Sequence, residues 1–150
     1  MSEDRYRLRR FVDAQEDAAI YGRALAELRA GRKQGHWIWF VFPQIAGLGS
    51  SPISRVYAIG SLEEARAYLA HSVLGPRLRE CCQALLAADP SLTAEQILGG
   101  TDALKLRSSM TLFHRASPKD PLVLAVLARF YGAEPDPATD HLLRPPGERG

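Results

Sequence analysis

Residues 37–42 read WIWFVF, six apolar side chains in a row that hold both tryptophans and two of the five phenylalanines of the chain. Such a run leaves no polar face at either the helical or the strand period, so protein must surround it on every side. That demands a core large enough to enclose it. At 150 residues one domain is expected over 1–150, able to bury ~68–70% of the surface its unfolded chain exposes. The ends of the run are framed by His36 on one side and Pro43-Gln44 on the other. Buried indole N–H groups need acceptors, which makes Trp37 and Trp39 more demanding than leucines. Two readings stand: a core element with satisfied polar ends, or a wall where a tryptophan and His36 reach a cleft and a flat ring stacks. Core packing alone requires neither His-Trp nor Phe-Pro-Gln, and that surplus points to a site nearby.

Around the run the punctuation is helical. Leu8, Phe11, Val12 and Gln15 mark a short helix, and Tyr21, Ala24, Leu25 and Leu28 a second that Gly31 closes. Residues 44–55, QIAGLGSSPISR, read as a loop. Ser61 opens SLEE and Thr93 opens TAEQ, both capping-box patterns. Between them Leu74, Leu78, Cys81 or Cys82, and Leu85 form a stripe over 71–87. Thr101 is expected to cap a helix whose inward stripe is Ala103, Leu106, Met110 and Phe113. Asp120-Pro121 starts another, stopped by Gly132. The proline-rich tail from Glu134 is expected to be extended. Alternating patterns are nearly absent, and only 55–59 or the aromatic run itself suggests a strand. The expectation is an all-α domain of six to eight helices with at most a minor strand element.

Several classes fall away. A net charge of +2 does not argue for nucleic acid, and the basic run Arg5 to Arg10 is interrupted by Tyr6 and Leu8. A nucleic-acid surface would need it to converge with Arg23, Arg29, Arg32 and Lys33. No apolar run approaches the ~18 residues of a membrane helix, and the charged N-terminus lacks a signal-peptide core, so a cytoplasmic protein is expected. Cys81 and Cys82 are adjacent and have no other partner in the chain; a reduced pair is expected, one inward and one at an edge. His36, His71, His114 and His141 are scattered without ligand spacing, so neither metal nor cofactor is expected. Oligomeric state is not legible.

The segments RFVDAQ (10–15), 24–69 with its core HWIWFVFPQIAGLGSS and the following YAI, LGPRL (74–78), DALKLRSSMTLF (102–113) and the Asp136-to-Thr139 spacing resemble the domain-of-unknown-function 1810 family. Nearly the whole chain is covered, and the central motif is long and unusual. One departure is His71-Ser72, where the family more often has His-Pro. The resemblance implies a small, mostly helical bacterial protein and brings no established substrate or catalytic residue. It does imply that the aromatic run, the glycine-serine loop and the 102–109 helix form one recurring signature.

Three constellations carry candidate chemistry. The first is His36, Trp37 and Trp39 with Gln44. The second is Gly47, Gly49, Ser51 and Ser54 in QIAGLGSSPIS, where glycines can expose N–H groups as an anion nest, or simply turn the chain with Ser51 as a cap for the residues after it. It lacks the third glycine of a dinucleotide fingerprint and the lysine of a P-loop. The third is Asp102, Lys105 and Ser109, at i, i+3 and i+7 on one helix. The bland reading there is a solvated ion pair worth a few tenths of a kcal/mol; the functional one sets a base and an anion-holding ammonium beside a pocket.

Together with Lys33 these residues suggest an aromatic-walled pocket for a small anionic, nucleotide-like or ribose-phosphate ligand. Asp102, Lys105 and His36 are its candidate catalytic groups, and N-glycosidic hydrolysis is a conceivable reaction. The alternative is a non-enzymatic protein–protein interaction module with the aromatic run as core.

Overall fold

A computed structural model describes residues 4–149. Among them seven helices of seven residues or more alternate with three single turns of helix. In order these are α1 (Arg9–Glu16), α2 (Ile20–Arg29), α3 (Ile38–Val41), α4 (Pro52–Val56), α5 (Leu62–Ala70), α6 (Leu74–Ala87), α7 (Ala94–Leu98), α8 (Gly100–Ala116), α9 (Pro121–Tyr131) and α10 (Pro137–Leu143). The fold is therefore all-α. Its one extended pairing among the described residues is an isolated parallel bridge between Ile45 and Ile59. None of these helices is long and apolar enough to cross a membrane.

The helix starts obey local chemistry. Ser61 accepts from the Glu64 N–H, but the Glu64 carboxylate reaches the Gly60 N–H instead of closing the box on Ser61. Thr93 and Gln96 form the full reciprocal box. Asp120 caps α9 through the Leu122 N–H, and Gly132 ends it at φ 62°. Two starts differ from expectation. α8 begins at Gly100 behind Gly99, whose φ of 89° turns the chain, so Thr101 lies inside the first turn and caps nothing. The tail is not extended throughout: Asp136, followed by Pro137, accepts from the Ala138 and Thr139 N–H groups and starts α10, as Asp120 before Pro121 starts α9. Proline content masked a start signal, because proline is welcome at the first helical position.

α8 is the central helix, packed against α5, α7, α9 and α10 and touching α3. Its second half, Ser108 to Phe113, is buried on all sides. Cys81 and Cys82 are both buried, correcting the expectation of one edge thiol; Cys81 lies 3.9 Å from the Tyr21 hydroxyl and Cys82 3.8 Å from the Met110 sulfur. Burial pushes the Cys81 thiol up to about 12 and raises Cys82 as well.

The aromatic run is a single helical turn, not a strand. Trp37, Ile38, Phe40, Val41 and Phe42 are core, while Trp39 alone is half-buried. The buried Gln15 donates to the Phe40 carbonyl at 2.7 Å, and the Phe40 ring meets Tyr57 edge-on at 5.3 Å. Pro43 is buried behind the run, after which the Ala46 and Ile59 N–H groups pair the 44–46 and 59 backbones. Arg10 then holds the returning segment: its guanidinium donates to the Val56 and Ala58 carbonyls at 2.7 and 2.8 Å and to Glu64 at 3.0 Å.

Candidate functional site

The two tryptophans, two residues apart, serve different clefts. Trp39, Gln44, Gly47, Gly49 and Ser54 line one of about 120 Å³, joined by Arg55 and Tyr57. His36 and Trp37 line another of about 280 Å³ with Ile20, Arg23, Glu27 and Gly35. The expected single pocket is thus divided: His36 does not line the Trp39 cleft.

Between the two tryptophans runs a row of charges. Asp102 receives Lys33 Nζ on Oδ2 at 2.7 Å and Lys105 Nζ on Oδ1 at 3.5 Å. Lys33 Nζ lies 5.0 Å from the Trp37 ring centre and Lys105 Nζ 4.9 Å from that of Trp39, cation–π distances in both cases. Lys33 is held further by its contact with the Gly35 carbonyl and by its own N–H on the Ile97 carbonyl at 2.7 Å. Its side chain is only 7% exposed, so the Lys33–Asp102 pair is internal, while the Asp102–Lys105 pair that the helical spacing suggested is partly exposed, Lys105 at 24%. Both Asp102 oxygens face an ammonium, which leaves Lys105 as the partly exposed cation beside Trp39.

The glycine loop is shaped by steric need. Gly49 has no room for a Cβ, which would fall 2.5 Å from Ser54 Oγ. Gly47 sits at φ 103° with Leu142 of α10 against it. Ser51 caps α4, accepting from the Ser54 N–H at 3.3 Å, and Ser54 donates to the Ser51 carbonyl at 2.8 Å. Ser51 is therefore a cap and does not line the cleft, while Ser54, whose N–H that cap receives, does. From Gly47 to Ser50 the backbone N–H groups find no acceptor among the described residues.

Ser109 does not join the polar row. It is fully buried and its hydroxyl has no partner among the described residues. Its neighbour Ser108 donates to Asp136 Oδ2 at 2.8 Å, which commits that hydroxyl to α10. Asp136 also takes the Ala138 and Thr139 N–H groups and the Thr139 hydroxyl, while its own N–H donates to Thr111. Burial pushes this carboxyl up, but the Thr139 and Ser108 hydrogen bonds outweigh it and hold it below the usual range. This knot docks α10 on α8 and so sets Leu142 behind Gly47.

Three residues went unread in the sequence. Arg55 and Tyr57 come soon after the glycine loop, but nothing in their spacing shows that the chain doubles back there. Glu27 lies on α2, eight residues before Gly35. Its Oε1 accepts from the Gln34 N–H (2.7 Å), the Gly35 N–H (2.9 Å) and the Trp37 indole (2.9 Å). Burial raises its carboxyl, but the Gly35 and Gln34 amides, the indole and Lys33 more than offset this and hold it low. A long-range acceptor of this kind has no local pattern to betray it.

Of the cations a nucleic-acid face would need, Arg10 and Lys33 turn inward and Arg29 lies 3.9 Å from Glu80. Comparison with solved structures finds a crystal structure of the conserved hypothetical protein Rv1873 of Mycobacterium tuberculosis. It is 52% identical, with 93% of this chain and 98% of that one covered, at a TM-score of 0.89. Comparison with curated proteins finds no significant match. The family described as "Protein of unknown function (DUF1810)" matches residues 5–143, almost the whole chain, and the protein belongs to that family.

Proposed function

We propose that the protein binds a small anionic ligand at the Trp39 cleft, one that carries a flat ring or sugar and an acidic group. The observation that carries this reading is the convergence of an indole face, two cations and an open amide loop. Trp39, Arg55, Gly47 and Gly49 line one concavity, Lys105 packs on the Trp39 ring beside it, and the Gly47-to-Ser50 N–H groups have no acceptor among the described residues. A ring stacks on the indole and Tyr57, while a phosphate or carboxylate accepts from the loop. At about 120 Å³ the cleft is below the ~300–1,000 Å³ of typical ligand pockets. It therefore encloses one group of the ligand, a ring or a phosphate, with the remainder lying along the surface.

Binding fits this geometry better than N-glycosidic hydrolysis does. No carboxylate lines the cleft, and Asp102 is neutralised by two ammonium groups, so no free anion faces an oxocarbenium-like state. The second reading is an interaction module, favoured by Ile53 and Val56, which lie exposed one helical turn apart on α4 beside the cleft.

A thermal-shift panel of nucleoside monophosphates, ADP-ribose and ribose 5-phosphate tests the proposal. A ligand at about 100 times its dissociation constant adds ~2.7 kcal/mol, or roughly 5–11 °C for a chain of this size. Trp39→Ala abolishes the shift and Lys105→Ala reduces it. No response to any member of the panel favours the interaction module instead.

A further inference from the structure

The second cleft contains a carboxylate with one oxygen committed and one open. Glu27 Oε1 accepts the Gln34 and Gly35 amides and the Trp37 indole, whereas Oε2 accepts no donor among the described residues. No lysine or arginine nitrogen comes within 4.0 Å of it among those residues; the nearby Lys33 is bound to Asp102. The surroundings are partly apolar, with Ile20 and the Trp37 indole lining the same 280 Å³ space. Glu27 is half-buried and its Oε2 is not sealed from solvent, so a ligand donor there replaces water. Gly35 is required by the Trp37 ring, since a Cβ there would press within 2.9 Å of it while meeting Oε2 only at an ordinary contact distance of 3.5 Å. The exposed Arg23 and His36 line the same cleft, Arg23 bringing the opposite charge. Arg23 uses one terminal nitrogen on the Ala18 carbonyl and keeps its others for a ligand.

We propose that this cleft is a separate binding site for a small zwitterion. Its ammonium or guanidinium group donates to Glu27 Oε2, and its acidic end meets Arg23 and His36. A carboxylate whose first oxygen is held by three N–H groups is fixed in direction, so the second presents one defined acceptor to a planar or tetrahedral cation.

The chain reports on this site directly, because its two indole N–H resonances belong to Trp37 and Trp39 and a Trp39→Phe variant assigns them. The probes are L-arginine, agmatine (the same guanidinium without the carboxylate) and inorganic phosphate, titrated into the 15N-labelled protein. L-Arginine moves the Trp37 indole resonance saturably, since the indole and the ligand share one carboxylate. Agmatine moves it with lower affinity. Phosphate leaves it in place and moves Trp39 through the anion site of the other cleft, so the two proposals fail separately. Glu27→Gln weakens L-arginine by about tenfold or more, the loss of one charge-assisted hydrogen bond. Arg23→Ala, an exposed change that leaves the fold alone, removes the preference for L-arginine over agmatine. A Trp37 resonance that does not move in the wild-type chain overturns the proposal, as does equal movement in Glu27→Gln.

Discussion

Replacing Glu27 by alanine removes the one acceptor shared by Gln34, Gly35 and Trp37. Three N–H groups lose their acceptor at once, but they do not count equally. Gln34 is exposed and Gly35 half-buried, so water takes over much of their bonding, whereas Trp37 is only 2% exposed. A buried donor left without a partner costs ~1–3 kcal/mol, which puts Glu27→Ala at about 2–3 kcal/mol. Trp37→Phe removes the same hydrogen bond together with part of a packed side chain, for about 2 kcal/mol. In the double variant the orphaned indole no longer exists, so the combined loss falls short of the sum by about 1–2 kcal/mol. Urea unfolding of the four proteins measures this coupling. Losses that add to within ~0.5 kcal/mol would refute the reasoning, since residues without a shared contact behave that way. The pH dependence has a definite sign. Glu27 is lowered from 4.5, so its contribution is complete above that value and is lost as pH falls through the folded-state value. The stability gap between wild type and Glu27→Gln therefore narrows below about pH 4.5.

Asp136→Ala removes both the α10 cap and its tie to Ser108; about 2 kcal/mol of destabilisation is expected, with faster amide exchange across α10 read by NMR. Because that carboxyl is lowered from 3.8, its contribution too disappears as pH falls below that value. Arg10→Ala strands the buried Glu64 and frees the Val56 and Ala58 carbonyls, for about 3 kcal/mol by denaturation. With their thiols raised by burial, Cys81 and Cys82 stay inert to a thiol-labelling disulfide at neutral pH and react only in denaturant.

What the sequence disclosed was local, and what it concealed was long-range. Ser61, Thr93, Asp120 and the glycines at 31 and 132 work within four residues of themselves, and each mark is visible in the string. α10 is equally visible, since Asp136-Pro137 repeats the Asp120-Pro121 signal, but the surrounding prolines argue for an extended tail and hide it. Ser109 shows another limit. Its spacing from Asp102 and Lys105 is helical, yet α8 dives between α5, α9 and α10, and the polar row ends before Ser109. The run at 37–42 announced a core element, and only the fold shows that Trp39 is the half-exposed member. Glu27, Arg55 and Tyr57 reach their places through chain reversals that no periodicity encodes.

The most direct test of the Trp39 cleft is a titration of the 15N-labelled protein with adenosine monophosphate and with ribose 5-phosphate, monitored at the Gly47-to-Ser50 amides and the Trp39 indole. Ligand binding as proposed moves all of these along one saturation curve, and Lys105→Ala shifts the curve to weaker binding. Resonances that stay fixed for both compounds, or movement confined to the Ile53 and Val56 face of α4, would contradict it.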